Sequence, residues 1–197
     1  MIELIVAMTI FIVLTSIMLL DYNGMNSRIT LDTLAQQIGQ WVRQTQVSAM
    51  SIKHTSASAG IFPGYGLHFD RNAPDQFVFF ADLDNDKKYK PLGVGEKCGD
   101  VNVECEQAVK LQKGNTIEKL CSELATPPQQ ASPECGTLSK AVNFDIIFTR
   151  PDPDAFIGGE YSAGNYAPSS RALIYVTSAK GYERSIEVWV TGQVSVK

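Results

Sequence analysis

Apolar and polar positions divide this chain near Asp21. From Leu4 to Leu20 almost every side chain is apolar, with only Thr9, Thr15 and Ser16 as exceptions. A helix crossing a bilayer needs roughly 17–25 mostly apolar residues. Ile2–Leu20 just meets that length, so a single-pass transmembrane segment is expected there. A secretory signal fits less well, because no Lys or Arg precedes the run and no A-x-A follows it. Past Asp21, Asn23-Gly24 and Asn26-Ser27 weaken a helix locally. Leu31, Leu34, Ile38, Trp41, Val42 and Thr45 then recur at spacings of three and four, with Ala49 and Ile52 beyond. That stripe predicts an amphipathic helix over 28–55. A helix continuous from the chain start to about Lys53 would be roughly 80 Å long at 1.5 Å per residue.

After Ser56 the period shortens to that of strands. Tyr65–Phe69 and Gln76–Ala81 flank a turn at Arg71–Asp75. Val109–Gln112 and Thr116–Leu120 flank Lys113-Gly114-Asn115, which predicts a hairpin. Val142, Phe144, Ile146 and Phe148 alternate with Asn143, Asp145 and Ile147, and Ile186, Val188 and Val190 alternate likewise. Leu173–Thr177 and Arg184–Val190 are expected to pair across Ala179-Lys180-Gly181. Thr126–Pro133 and Ile157–Pro168 read as surface loops. The expected class is α+β, with a long N-terminal helix packed by its second half against an antiparallel sheet. Two parts follow: residues 1–22 as an apolar helix half, and 23–197 as the globular domain.

At 197 residues the chain suits one domain plus an extension. A net charge of −4 and a pI near 5.2 disfavour generic nucleic-acid binding, which needs a basic face. Cys98, Cys105, Cys121 and Cys135 cluster in the middle of the chain without CxxC spacing, and neither His54 nor His68 lies among them. Disulfides in an oxidising compartment are favoured over zinc. Three connectivities are open. The local set, Cys98 with Cys105 and Cys121 with Cys135, is preferred because each pair brackets one loop. Cys105 with Cys121 would instead clamp the ends of the expected 109–120 hairpin.

No GxSxG, P-loop or HExxH is present, and an enzyme is not expected. No cofactor is indicated either, with one partial exception. Asp82-Leu83-Asp84-Asn85-Asp86 begins as a calcium-binding EF-hand loop does, with oxygen donors at alternate positions. Lys87 then stands in place of the required glycine, and Gly93 in place of the bidentate glutamate. A solvated acidic turn is the favoured reading, with calcium at Asp82, Asp84 and Asp86 the alternative.

Glu3 is the other singular residue. A carboxylate at the edge of an apolar span needs a partner, and the first basic side chain of the chain is Arg28. The natural partner is a cation on another molecule, such as an N-terminal amine. Met1-Ile2-Glu3-Leu4-Ile5-Val6-Ala7-Met8-Thr9-Ile10-Phe11 resembles the N-terminal cleavage and methylation motif of type IV pilins and type II secretion pseudopilins. In that family a glutamate stands at the fifth mature position, so Met1 is expected to correspond to the third mature residue. Phe77–Asp82 running into Asp84-Asn85-Asp86, together with Glu187–Val194, is similar to minor pseudopilins of the H type.

The resemblance implies a pilin-like lollipop fold and a structural subunit of a pilus or secretion pseudopilus, with Glu3 as the assembly residue. It also implies as partners further copies or related pilins in a helical filament, the membrane, a prepilin peptidase and the inner-membrane assembly machinery. The expected location is the bacterial cell envelope, as a single-pass membrane protein before assembly and an extracellular or periplasmic filament after it. The competing reading is a monomeric envelope-anchored protein that captures DNA or another ligand.

Overall fold

The computed structural model describes residues 2–51, 62–125, 132–162 and 165–197. One helix, α1 (Ile2–Met50), precedes ten strands. These are β1 (Gly64–Asp70), β2 (Gln76–Asp82), β3 (Cys105–Lys110), β4 (Thr116–Leu124) and β5 (Ser139–Lys140), then β6 (Asn143–Thr149), β7 (Asp152–Ser162), β8 (Asn165–Thr177), β9 (Glu183–Trp189) and β10 (Val194–Val196). All belong to one sheet ordered β10-β9-β8-β7-β6-β1-β2-β3, with β4 joined to β8 and β5 joined to β4. Every pairing is antiparallel.

The expected class is therefore corrected. The chain is mostly antiparallel β, a sheet curled into a half-barrel, and its helix supplies 49 of 197 residues, about a quarter. A long helix carrying a small sheet, the pilin-like lollipop, does not describe it. Two departures explain the difference. Ile157–Pro168, expected as a loop, forms the facing ends of β7 and β8, with Ile157 opposite Ser169 and Gly159 opposite Ala167. The expected 109–120 hairpin is absent: β3 pairs with β2, whereas β4 leaves to pair with β8. From Arg171 to Thr177, β8 lies between β4 and β9, while its beginning lies on β7. One long strand thus serves both arms of the curl.

Strand alternation gives the sheet two apolar faces. On the inner face Tyr65, Leu67 and Phe69 of β1, Phe77 and Phe79 of β2, and Phe144, Ile146 and Phe148 of β6 form the main core. The buried positions of α1 that join it are Leu31, Leu34, Ala35, Ile38, Val42 and Ala49, so among the described side chains burial along α1 begins at Leu31. Helical backbone continues through Gly24, Asn26 and Ser27 despite their low propensity. Residues 52–55 of the expected amphipathic helix lie outside the described residues, as does most of Thr126–Pro133. At the end of α1 the Arg150 guanidinium donates from Nε to the Ala49 carbonyl at 2.9 Å and also to the Ser51 carbonyl. These bonds serve carbonyls that the helix end leaves without partners.

On the outer face a smaller core gathers Val78, Phe80 and Ile147 under the 83–104 segment, with Val103, Cys105 and Tyr89. Gly66 of β1 lies opposite Phe80 on one side and Ile147 on the other. A Cβ there would stand 2.6 Å from the Phe80 ring and 2.8 Å from Ile147 Cγ1. Only glycine lets those two side chains close over β1.

Among the described residues no helix is long and apolar enough to cross a membrane. The single-pass membrane location expected from Ile2–Leu20 is corrected accordingly, and the membrane-helix reading falls with it. The two disulfides point to an extracellular or periplasmic location.

Candidate assembly helix and acidic loop

Residues 2–17 of α1 leave their side chains largely uncovered by the rest of the described chain. Ile2, Leu4, Ile5, Val6, Met8, Ile10, Phe11, Ile12, Val13, Leu14 and Ile17 are each more than half exposed. Consecutive residues advance about 100° around a helix, so this run is apolar on every side. Its polar groups are turned inward chemically. Thr9 Oγ1 donates to the Val6 carbonyl, Thr15 Oγ1 to Phe11 and Ser16 Oγ to Ile12, each at 2.8 Å. A hydroxyl bonded back to its own helix asks nothing of the surroundings. The surface offered is thus apolar in effect as well as in composition.

Glu3 sits exposed in the first turn of α1 and makes no ion pair among the described residues.

The acidic turn follows β2. Asp82 closes that strand and is 1% exposed, whereas Asp84 and Asp86 are exposed, and one carboxylate oxygen of each lies within 4.8 Å of the others. The Lys87 amide donates to Asp82 Oδ2 at 3.1 Å, the Asp86 amide to Asp84 Oδ1 at 3.3 Å and the Lys88 amide to Asp86 Oδ1 at 2.8 Å. Burial above all pushes the Asp82 carboxyl up, against the Lys87 amide and with the charges of Asp86 and Asp84. Lys87 has φ 62°, so it takes the left-handed conformation for which a glycine was required.

Glu104, at the far end of the 83–104 segment, is the residue sequence reasoning missed. It is 5% exposed, its carbonyl accepts the Ala81 amide at 2.8 Å, and its Oε2 accepts the Lys90 amide at 2.8 Å. Burial pushes its carboxyl to about 7, opposed by the Lys90 amide and reinforced by the charges of Asp84 and Asp82. No local motif announces it, because only the β2–β3 pairing brings it beside Asp82.

Cys98 is bonded to Cys105 and Cys121 to Cys135, the two local pairs named from their loops. The first ties the 83–104 segment to the start of β3. The second ties the chain before β5 to buried β4.

His68 belongs to a further polar set on the outer face. Its Nδ1 is 2.7 Å from Asp145 Oδ1, and the Tyr89 ring lies 4.6 Å from its own. The Tyr166 hydroxyl is 3.2 Å from Asp145 Oδ2 and 3.0 Å from the Lys87 carbonyl. Burial first, then the Asp145 charge, pushes that hydroxyl well above its ordinary value. These groups line a cavity of about 340 Å³ with Lys88 and Glu160. Asp145 is taken up by His68 and Tyr166, which makes this set a tie between β1, β6 and β8.

Comparison with family models, with curated proteins and with solved structures finds no match to this chain.

Proposed function

We propose that the chain is a structural subunit that polymerises through the first half of α1, as subunits of a pilus or secretion pseudopilus do. The observation that carries this reading is the run Ile2–Ile17, exposed and apolar around its whole circumference with its hydroxyls bonded back to the helix. Exposed apolar area is unfavourable in water by about 25 cal/mol per Å². A groove on one partner would cover a single side of such a helix. Covering all sides takes several neighbours, and further copies of the same helix supply the matching chemistry. Copies related by one repeated operation make contacts that need not close, which gives a filament. The reading rests on this helix and on its likeness to the pilin N-terminal motif, and not on the shape of the sheet.

Glu3 has a defined place in that assembly. Its carboxylate meets a cation from a neighbouring copy, an N-terminal amine being the nearest in kind, and so fixes how far one helix slides along another. Replacing Glu3 with Ala tests this. Circular dichroism and thermal unfolding of the Glu3→Ala protein are expected to be unchanged, while its yield in assembled material falls. Undiminished assembly of the variant would remove the role for Glu3.

A further inference from the structure

We propose that the turn after β2 is a calcium site, with Asp82, Asp84 and Asp86 as carboxylate ligands and Glu104 as a further acidic group beside them. Three acidic residues in a row of alternate positions would not suffice, since exposed carboxylates commonly cluster without a metal. The decisive feature is Asp82. Its side chain is almost fully buried, its Oδ2 accepts the Lys87 amide, and its Oδ1 is buried with no hydrogen-bond partner within 3.5 Å among the described residues. Buried carboxylate oxygens are paired or bind metal, because nothing else replaces the water they lose. This one belongs to the side chain that meets Asp84 and Asp86 within 4.8 Å.

The neighbouring cations do not answer the charge. Lys87 Nζ is 5.0 Å from the centre of the Phe156 ring, and Lys88 Nζ is 4.3 Å from that of Tyr166. No Lys or Arg forms an ion pair with Asp82, Asp84, Asp86 or Glu104 among the described residues. Glu104 is brought to the same end of the sheet by the bond from the Ala81 amide to its carbonyl. Glu104 adds its charge beside Asp82 and Asp84 from across the β2–β3 pairing, without joining the three oxygens that lie within 4.8 Å of one another.

The donor set selects the metal. All the acidic groups offer hard oxygen atoms, and no His or Cys is among them, which disfavours zinc and copper. Calcium accepts six to eight oxygens in flexible geometry, so exposed Asp84 and Asp86 can be completed by carbonyls and water. Magnesium demands a stricter octahedron and gives up water reluctantly. Bound calcium would join the two ends of the 83–104 segment, whose middle is already tied by Cys98–Cys105.

The test is calorimetric titration of calcium into the full chain, held in mild detergent and first stripped with a chelator. One ion per chain is expected, with a Kd on the order of 10⁻⁵–10⁻³ M and weaker binding of magnesium. The thermal midpoint is expected to rise with calcium concentration. The double variant Asp84→Asn/Asp86→Asn, altered only at exposed positions, is expected to fold and to bind at least about tenfold more weakly. Asp154→Asn, an exposed aspartate elsewhere, is expected to bind as the unaltered chain does. Absence of binding up to about 10 mM calcium, or equal binding by the double variant, would overturn the site.

Discussion

Adding one methyl group at Gly66 probes the junction between the sheet and the segment that bears the acidic turn. A Cβ at this position would lie 2.6 Å from Cε1 and Cζ of Phe80 and 2.8 Å from Cγ1 of Ile147. Carbon atoms in favourable contact sit about 3.5–4.0 Å apart, so each neighbour must retreat by roughly 1 Å. Neither has room. Phe80 and Ile147 are fully buried, and the Phe80 ring lies 5.2 Å from that of Tyr89 in the 83–104 segment. Overpacking of this kind costs about 1–3 kcal/mol, while replacing a strand glycine returns about 0.5–1 kcal/mol of backbone entropy. The net expectation for Gly66→Ala is a loss of about 1–2 kcal/mol. Urea denaturation followed by tryptophan fluorescence measures it as a lower midpoint at unchanged slope. Phe80→Leu in the same chain should recover part of the loss, since a smaller side chain vacates the contact, giving a favourable coupling energy. A neutral or stabilising Gly66→Ala, or no coupling with Phe80→Leu, would refute the close approach.

Two more perturbations follow from the structure. Glu187 is 3% exposed and accepts from Arg171 Nη1 at 2.8 Å and from Lys197 Nζ at 2.7 Å. Burial pushes its carboxyl up, but the hydrogen bonds from Lys197 and Arg171 outweigh that and hold it below its ordinary 4.5. A depressed carboxylate contributes stability above its ordinary range and loses it as pH falls through the lowered value. Glu187→Gln should therefore destabilise by about 1–3 kcal/mol at pH 7, with the gap to the unaltered chain closing below pH 4.5, as read by denaturation across pH. Cys121–Cys135 closes a segment with sequence separation 14, and removing both cysteines should lower stability by about 3 kcal/mol on loop entropy. An equal midpoint for the Cys121→Ser/Cys135→Ser protein in calorimetry would contradict that.

Local signals served well where local contacts decide structure. The stripe Leu31–Thr45 is the buried side of α1, and the Arg71–Asp75 turn joins β1 to β2. Alternation at Val142–Phe148 located β6 within a residue. The failures lie where distant segments decide. Lys113-Gly114-Asn115 turns the chain, but Ile117 bonds to Pro74 and Leu111 to Asp75, and β4 goes on to β8. Nothing in a turn tripeptide encodes a partner so far downstream. Gly158 and Gly159 read as loop because glycine is poor in strands, yet they are where Tyr166 and β6 approach the backbone of β7. The acidic turn was half legible. Its three aspartates stand out in sequence, but the burial of Asp82 and the arrival of Glu104 depend on the sheet. Lys87 stands where the loop motif has glycine, yet it holds the positive φ that a glycine would supply there.

Under the proposed function, copies of this chain assemble through the first half of α1. Electron microscopy of the full chain after detergent removal tests it most directly, beside a variant with Ile10→Asp and Phe11→Asp, two exposed positions that touch no core. Polymeric filaments are expected from the unaltered chain and dispersed single particles from the variant, with both showing the same circular dichroism. Dispersed particles from the unaltered chain, or filaments of equal number and length from the variant, would contradict the account.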